Sequence, residues 1–471
     1  MATNSSNSSR RSFTQKHGGN QIFIVVLIVT VAIFLDTSIT RISDLTLKST
    51  SSSIFGLFSI ILGISLVGQN LILRFIKQKV DESTTAQKSI RLNSIYKAAV
   101  TIHYVLAAIL VFVFLQMLIT SHYDLVLLST AVTISYVYSI VIMGILCYRF
   151  FTWFGLDKTY VMFLYGLSFL MLVVNLCITL WLVNSILIAR PGEILPHTQL
   201  NAPDFSVNPV HLALNYAYII TSITSFIVTW CATMALLKNY IQKTKKFTYW
   251  IVLILPLAYF VSQFLVFNFG LLAPLLISNP IFYGILFTII FALSKPIGGV
   301  MFGIGFWMTA RNIHKDNVVR SYLIISGCGF VLLFTSNQAV ILTFTQYPPY
   351  GLVTASFVGL ASYLVLVGIY SSAISISQDA SLRREIRRLA IRESKFLDNI
   401  GTTQLEQEII KRVVTVAKKH SHIITEKSGI EPSLSEHDMK LYMEEVMREI
   451  KTSRKKDSFT NENTQNNGDQ Q

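Results

Sequence analysis

Apolar stretches long enough to cross a bilayer recur ten times along this chain, at about 21–37, 54–75, 98–120, 124–147, 160–189, 211–237, 248–269, 281–310, 318–343 and 349–372. A helix needs about 20 residues to span a hydrocarbon core roughly 30 Å thick. In lipid every backbone N–H and C=O must be satisfied within the protein, so runs of this kind form helices. The expected fold is all-α: a polytopic membrane bundle of about ten helices with a small cytoplasmic helical tail. Charged residues are 14% of the chain, well under the ~25% of soluble domains. With a mean hydropathy of +0.54, a large soluble core is excluded.

The net charge of +14 could suggest a nucleic-acid partner, but its distribution excludes one. Residues 1–372 hold 22 Lys+Arg against 9 Asp+Glu, whereas 373–471 hold 17 against 16. The excess thus belongs to the connections between apolar runs. Even-numbered connections carry 15 Lys and Arg and odd-numbered ones 3. By the positive-inside rule this alternation places the even loops and both termini in the cytoplasm, for a multi-pass protein of the cell membrane. The Ser/Asn-rich segment 1–20 is expected to be disordered, and the first apolar run to be a retained signal anchor.

Metal and redox chemistry find little support. Cys147, Cys177, Cys231 and Cys328 each lie in or at the end of an apolar run, without a CxxC or a histidine pair. They read as free thiols. The connection 191–210 carries Pro191, Pro196, Pro203 and Pro209, which makes it a stiff, extended loop. Its Glu193, His197 and Asp204 are too irregularly spaced for a metal site. His103, near the cytoplasmic end of the third run, reads as a structural residue at the interface. No cofactor is expected. The absence of a P-loop, an HExxH, a GxSxG or a histidine-kinase box argues against an enzyme.

The polar residues inside the spans carry more information. The fourth and sixth runs are unusually polar, and such helices must face the bundle interior or water. Tyr136, Ser139, Asn215, Thr221 and Ser225, with Asn337 of the ninth run, are the candidate cavity-lining residues. The sharpest anomaly is Ser294-Lys295-Pro296 in the middle of the eighth run. A lysine there costs on the order of 3 kcal/mol. No Asp or Glu occurs between 205 and 315. Lys295 is therefore uncharged, charged and held by neutral groups, or charged and met by an anion. Pro296 is expected to kink or break the helix, and a half-helix restarting near it would point its positive end at the midplane. Gly298 and Gly299 would loosen the next turn or admit a neighbour. Lys295, Ser294, Pro296, Gly298 and Gly299 form the candidate substrate site.

From 373 to 451 the chain is polar and helical in pattern, and 452–471 reads as disordered. Leu382, Ile386, Leu389, Phe396 and Ile400 form a short coiled-coil-like seam. Gly401 is expected to stop that helix, with a second at about 404–425 and a third from Ser435 bearing a stripe of Met439, Tyr442, Met443, Val446, Met447 and Ile450. Such a stripe needs a cover, in a second protomer or a cytoplasmic partner. Arg383, Arg384, Arg387 and Arg388 are candidates for lipid headgroups. Two functions follow. The favoured one is transport or permeation of a small solute at 281–310, for which the two converging positive features favour an anion. The other is a membrane sensor or scaffold that couples the bundle to a partner through its tail.

Overall fold

The computed structural model describes residues 22–39, 51–83, 90–190, 193–194, 208–238, 246–268, 270–311, 313–314, 317–344, 347–384, 386, 396–428, 442, 445–446 and 449. The chain is an integral membrane protein of the multi-pass, all-α kind. Among the described residues nine helices are long and apolar enough to cross a membrane. Six precede the lysine run: α1 (Ile22–Ile39), α2 (Ser51–Ser83), α3 (Ile90–Thr120), α4 (Leu125–Leu156), α5 (Tyr160–Ile188) and α6 (Pro209–Leu237). The next helix, α7 (Lys246–Asn268), has a shorter apolar part, 254–266, and completes the ten expected runs.

The eighth run is composite. Short helices α8 (Ala273–Ser278) and α9 (Pro280–Phe287) lead into a π-helical turn, Thr288–Ala292, and then into α10 (Ser294–Arg311). The ninth is α11 (Val318–Ser336), followed by a 3-10 helix, Ala339–Phe344. The tenth is α12 (Leu352–Gln378), and the tail contributes α13 (Phe396–Ser428). Several helix starts are set locally. Asp124, Asn208 and Asn317 each cap a helix by accepting the N–H two residues on, at 2.8, 3.0 and 3.0 Å. Gly351, at φ +91°, makes the turn into α12 that a side chain would strain.

The connections sort onto two faces, as the charge alternation requires. On one face β1 (Tyr123–Asp124) pairs antiparallel with β2 (Glu193–Ile194). There Tyr347 donates to Met117 O at 3.2 Å and Tyr350 to Ile54 O at 2.7 Å. The Arg190 guanidinium also donates to Thr343 O. These tie together the odd-numbered connections. On the other, lysine-rich face Tyr322 donates to Lys79 O at 3.2 Å, and the tail meets the α4–α5 connection through Asn399 Nδ2 to Thr159 Oγ1 at 3.0 Å.

The core is centred on α12. Every residue from Leu352 to Ile369 is buried, and the helix packs against α11, α4, α13, α3 and α2. Small residues allow the close approach. A Cβ on Gly368 would lie 2.6 Å from Tyr322 O and 2.7 Å from Ser326 N. Asp36 of α1 is fully buried and accepts from the Thr354 N–H at 2.9 Å and its hydroxyl at 2.7 Å.

The tail departs from the sequence reading. Gly401 does not stop a helix; α13 runs through it. A Cβ there would strike Ile376, so the glycine lets α13 lie against α12. Leu382, Ile386, Phe396 and Ile400 of the expected seam are buried in the bundle's own core, not held out for a second chain. Phe396 stacks on Phe150 with centroids 6.5 Å apart and meets Tyr165 and Phe306, while Trp153 Nε1 donates to Gln404 Oε1 at 3.2 Å. Leu389, most of the third tail helix, the segments 1–20 and 452–471, and His197 and Asp204 of the long loop lie outside the described residues.

Candidate functional site

Pro296 lies just after an irregular stretch of the eighth run. The chain widens into the π turn at Thr288–Ala292, passes one turn residue, Leu293, and resumes as α10. A proline offers no N–H, and its ring crowds the carbonyl four residues back. The extra residue of a π turn relieves that crowding while keeping the path helical. The unwinding falls instead on the ninth run. α11 ends at Ser336, and Asn337 leaves helical geometry at φ −76°, ψ 60°. Its N–H still bonds Leu333 O at 2.9 Å, but its carbonyl turns aside.

Lys295 fills that gap. It is 9% exposed, and its Nζ donates to Asn337 O at 3.0 Å and to Tyr218 Oη at 2.9 Å. The ammonium also lies 5.2 Å from the centroid of the Tyr218 ring. These partners are neutral, and none is a carboxylate. The C-terminal end of α11 supplies partial negative charge, worth up to ~2 kcal/mol in a buried setting. The dipole and the two hydrogen bonds offset part of the cost of a buried ammonium. Among the described residues, two of its three N–H donors are engaged.

Asn337 organises the surrounding layer. Its Oδ1 accepts from Tyr136 Oη at 3.2 Å, and its Nδ2 donates to Asn175 Oδ1 at 3.0 Å. Asn175 Nδ2 in turn donates to Thr221 Oγ1 at 3.2 Å, and Thr221 donates to Ala217 O at 2.7 Å. Five helices thus meet at one polar level: α4, α5, α6, α10 and α11. Ser294, on the adjoining residue, donates to Gln263 Oε1 of α7 at 3.1 Å.

The sequence-derived candidates divide accordingly. Lys295, Asn337, Tyr136 and Thr221 come together in this layer, and Ser294 borders it. Ser225 donates to Ser222 O at 3.0 Å one turn further along α6, Ser139 pairs with the Ser362 hydroxyl, and Asn215 is half-buried. Gly298 and Gly299 serve close packing: a Cβ on the first would strike Phe226, and one on the second would lie 3.2 Å from Phe330 O. Pro296 is buried among them. Tyr218, Asn175 and Gln263 were not among the candidate site residues. All three are polar residues within spans, and only their partners distinguish them. Arg383 donates to Ile376 O at 3.4 Å and to Ser377 O, so it caps the end of α12. Arg384 is exposed, and Arg387 and Arg388 lie outside the described residues.

The layer is walled unequally. Towards the lysine-rich face, aromatic rings fill the path. Phe226 stacks on Phe260 at 3.8 Å between centroids, Phe302 meets Phe334 at 4.7 Å, and Phe306 meets Phe330 at 5.2 Å. The column ends on Phe396 of the tail. Towards the opposite face the cover is a small cluster of Leu182, Ile186 and Leu214 with Tyr218 and Val340. No protein-family model, curated protein or solved structure matches this chain.

Proposed function

We propose that this protein passes or binds a small anionic solute at the Lys295 layer, and is not an enzyme. The observation that carries the reading is the meeting of two irregular helices at mid-membrane around one ammonium. Discontinuous spans that converge on a charged group are how many transporters build a site in lipid. The remaining Lys295 N–H is a donor for an oxyanion or halide, with Tyr218 and Asn337 as its neutral partners. We take the face opposite the lysine-rich loops, where Leu182, Ile186 and Leu214 lie, as the entry side. On the charge alternation, the lysine-rich face and both termini are cytoplasmic. Cysteines introduced at Gln199 and Lys243 in a Cys-free background then label from opposite sides, Gln199 from outside.

Purified full-length protein in liposomes tests the site with chloride, sulfate, inorganic phosphate and acetate. Flux of at least one of these should fall steeply in Lys295→Met and much less in Lys295→Arg, which keeps the charge. Full flux in Lys295→Met would sink the assignment. A second reading, in which the bundle senses a ligand and the tail reports it, rests on Phe396. That ring touches Phe306, which shares α10 with Lys295. A change in protease access to α13 when the solute binds, without flux, would favour this reading.

A further inference from the structure

A second site lies away from Lys295, between α2 and α3. A cavity of about 560 Å³ opens there, lined by Leu66, Gln69, Leu73, His103, Ala107 and Phe112 among others. Its rim residues Tyr104, Val111, Phe112 and Leu115 are exposed on the outer surface of the bundle, where α3 meets lipid. The walls are hydrocarbon apart from Gln69, Asn70, His103 and Tyr104. Gln69 is 4% exposed and His103 is 1% exposed, and among the described residues Gln69 Nε2 and His103 Nε2 each lack a hydrogen-bond partner. Each such atom costs about 1–3 kcal/mol if left so.

Their chemistry is complementary. His103 Nδ1 lies 2.6 Å from Ala99 O. A carbonyl only accepts, so Nδ1 carries the proton and Nε2 presents a lone pair. Gln69 Nε2 is a donor. One acceptor and one donor in an apolar groove match a single hydroxyl, which donates to His103 and accepts from Gln69. No Lys or Arg lines the cavity, so a phosphate would be desolvated there without a counter-charge. Both residues lie within the apolar runs: Gln69 is six residues from the end of the run 54–75 and His103 five from the start of the run 98–120, or about 9 and 8 Å along their helices.

We infer that this groove binds a lipid alcohol: one uncharged hydroxyl on an apolar body, entering sideways from the bilayer. On this inference His103 takes a binding role beside the structural one expected from the sequence.

The test uses the full chain in phosphatidylcholine nanodiscs with two photoreactive probes, a sterol and a diacylglycerol, each beside an analogue whose hydroxyl is replaced by hydrogen. A hydroxyl-bearing probe should crosslink within 66–73 or 103–115 at least tenfold more than its deoxy analogue. The probe that does so names the source of the alcohol. His103→Leu and Gln69→Leu should each lower that labelling about tenfold, with His103→Gln retaining part of it. Equal labelling by the deoxy analogues in the unmodified protein, or labelling confined to other helices, overturns the inference. This comparison requires no variant to fold.

Discussion

The two sides of the bundle are packed by different rules. Around α12 the helices touch backbone to backbone: a Cβ on Gly329 would lie 2.8 Å from Val365 N, and one on Gly303 would lie 2.8 Å from Gly327 O. On the α1–α3 side, Gly56 and Gly63 have nothing within 4 Å of such a Cβ, one on Gly68 would strike only the Val29 side chain, and cavities open between α2 and its neighbours on either side. Ser65, Gln69 and His103 each keep a buried atom unpaired there. Lipid tails are as apolar as leucine, so burying apolar surface does not drive helices together inside a membrane. Tight packing arises where small residues let backbones approach and polar groups find partners. The α12 side meets the first condition, and meets the second through Ser135, Ser139 and Thr354 but not at the Tyr138 hydroxyl; the α1–α3 side leaves room for lipid.

The widest separation should come from one substitution made on both sides. Gly368→Leu must displace the Tyr322 carbonyl and the Ser326 N–H, which are backbone and cannot yield. Its cost should reach or exceed the ~1–3 kcal/mol typical of overpacking. Gly63→Leu should cost far less. Thermal unfolding in one detergent measures both, and similar losses would erase the distinction.

Phe396→Ala asks whether the tail belongs to the rigid side. Phe396 is 3% exposed within the aromatic column. Truncating a buried phenylalanine costs about 3–5 kcal/mol, here drawn from docking of α13. Proteolysis within 380–395 should accelerate by two orders of magnitude or more, with the spans intact. Unchanged protection would mean that the tail is held elsewhere.

A smaller effect marks where the enclosed helix ends. Asp379 accepts from the Ser381 hydroxyl at 2.6 Å and from the Ser381 and Leu382 N–H groups at 2.8 and 3.2 Å. The Ser381 bond first, then the Leu382 N–H, hold its carboxyl below the usual range. A depressed acid stabilises above its unfolded value, near 3.9, and loses that contribution as pH falls through the folded one. Amide protection at Leu382 should therefore drop below about pH 4. In Asp379→Ala it should be weaker at neutral pH, by about 1 kcal/mol or less, and flat with pH. A pH-independent unmodified protein would refute the cap.

The smallest expectation has the opposite sign. Gly63→Ala adds a methyl into open space on a helix, and should raise stability by about 0.5 kcal/mol. A loss would show that the α2 side is closer packed than its cavities suggest.

Most of the fold could be read in the sequence because lipid enforces it. Ten apolar runs and alternating basic loops admit few arrangements, and the contacts on each face agree with them. Lys295 could likewise be singled out, since a cation without a local acid is an anomaly of composition. Its partners could not. Asn337 looks like any in-span asparagine, and α11 unwinds there only because Lys295, Asn175 and Tyr136 replace the bonds that the helix gives up. Gly401 misled for a related reason. Glycine ends helices and also permits close approach, and only Ile376 decides between the two. The hydrophobic steps at Leu382, Ile386, Phe396 and Ile400 were real, but a sequence does not say which surface answers them.

The enclosure of α12 also constrains how the protein is made. Spans leave the ribosome in order, so nine must wait in the bilayer before the helix at their centre arrives. Until then the Ser135 and Ser139 hydroxyls of α4, which pair with Ala355 O at 2.7 Å and with Ser362, face lipid or water. α12 itself is buried from Leu352 to Ile369, and its mean hydropathy is 2.1. A helix enclosed on every side is apolar all round, and the same composition lets it enter the membrane before it slides between its neighbours. Its apolar sequence serves the route of assembly as well as the destination.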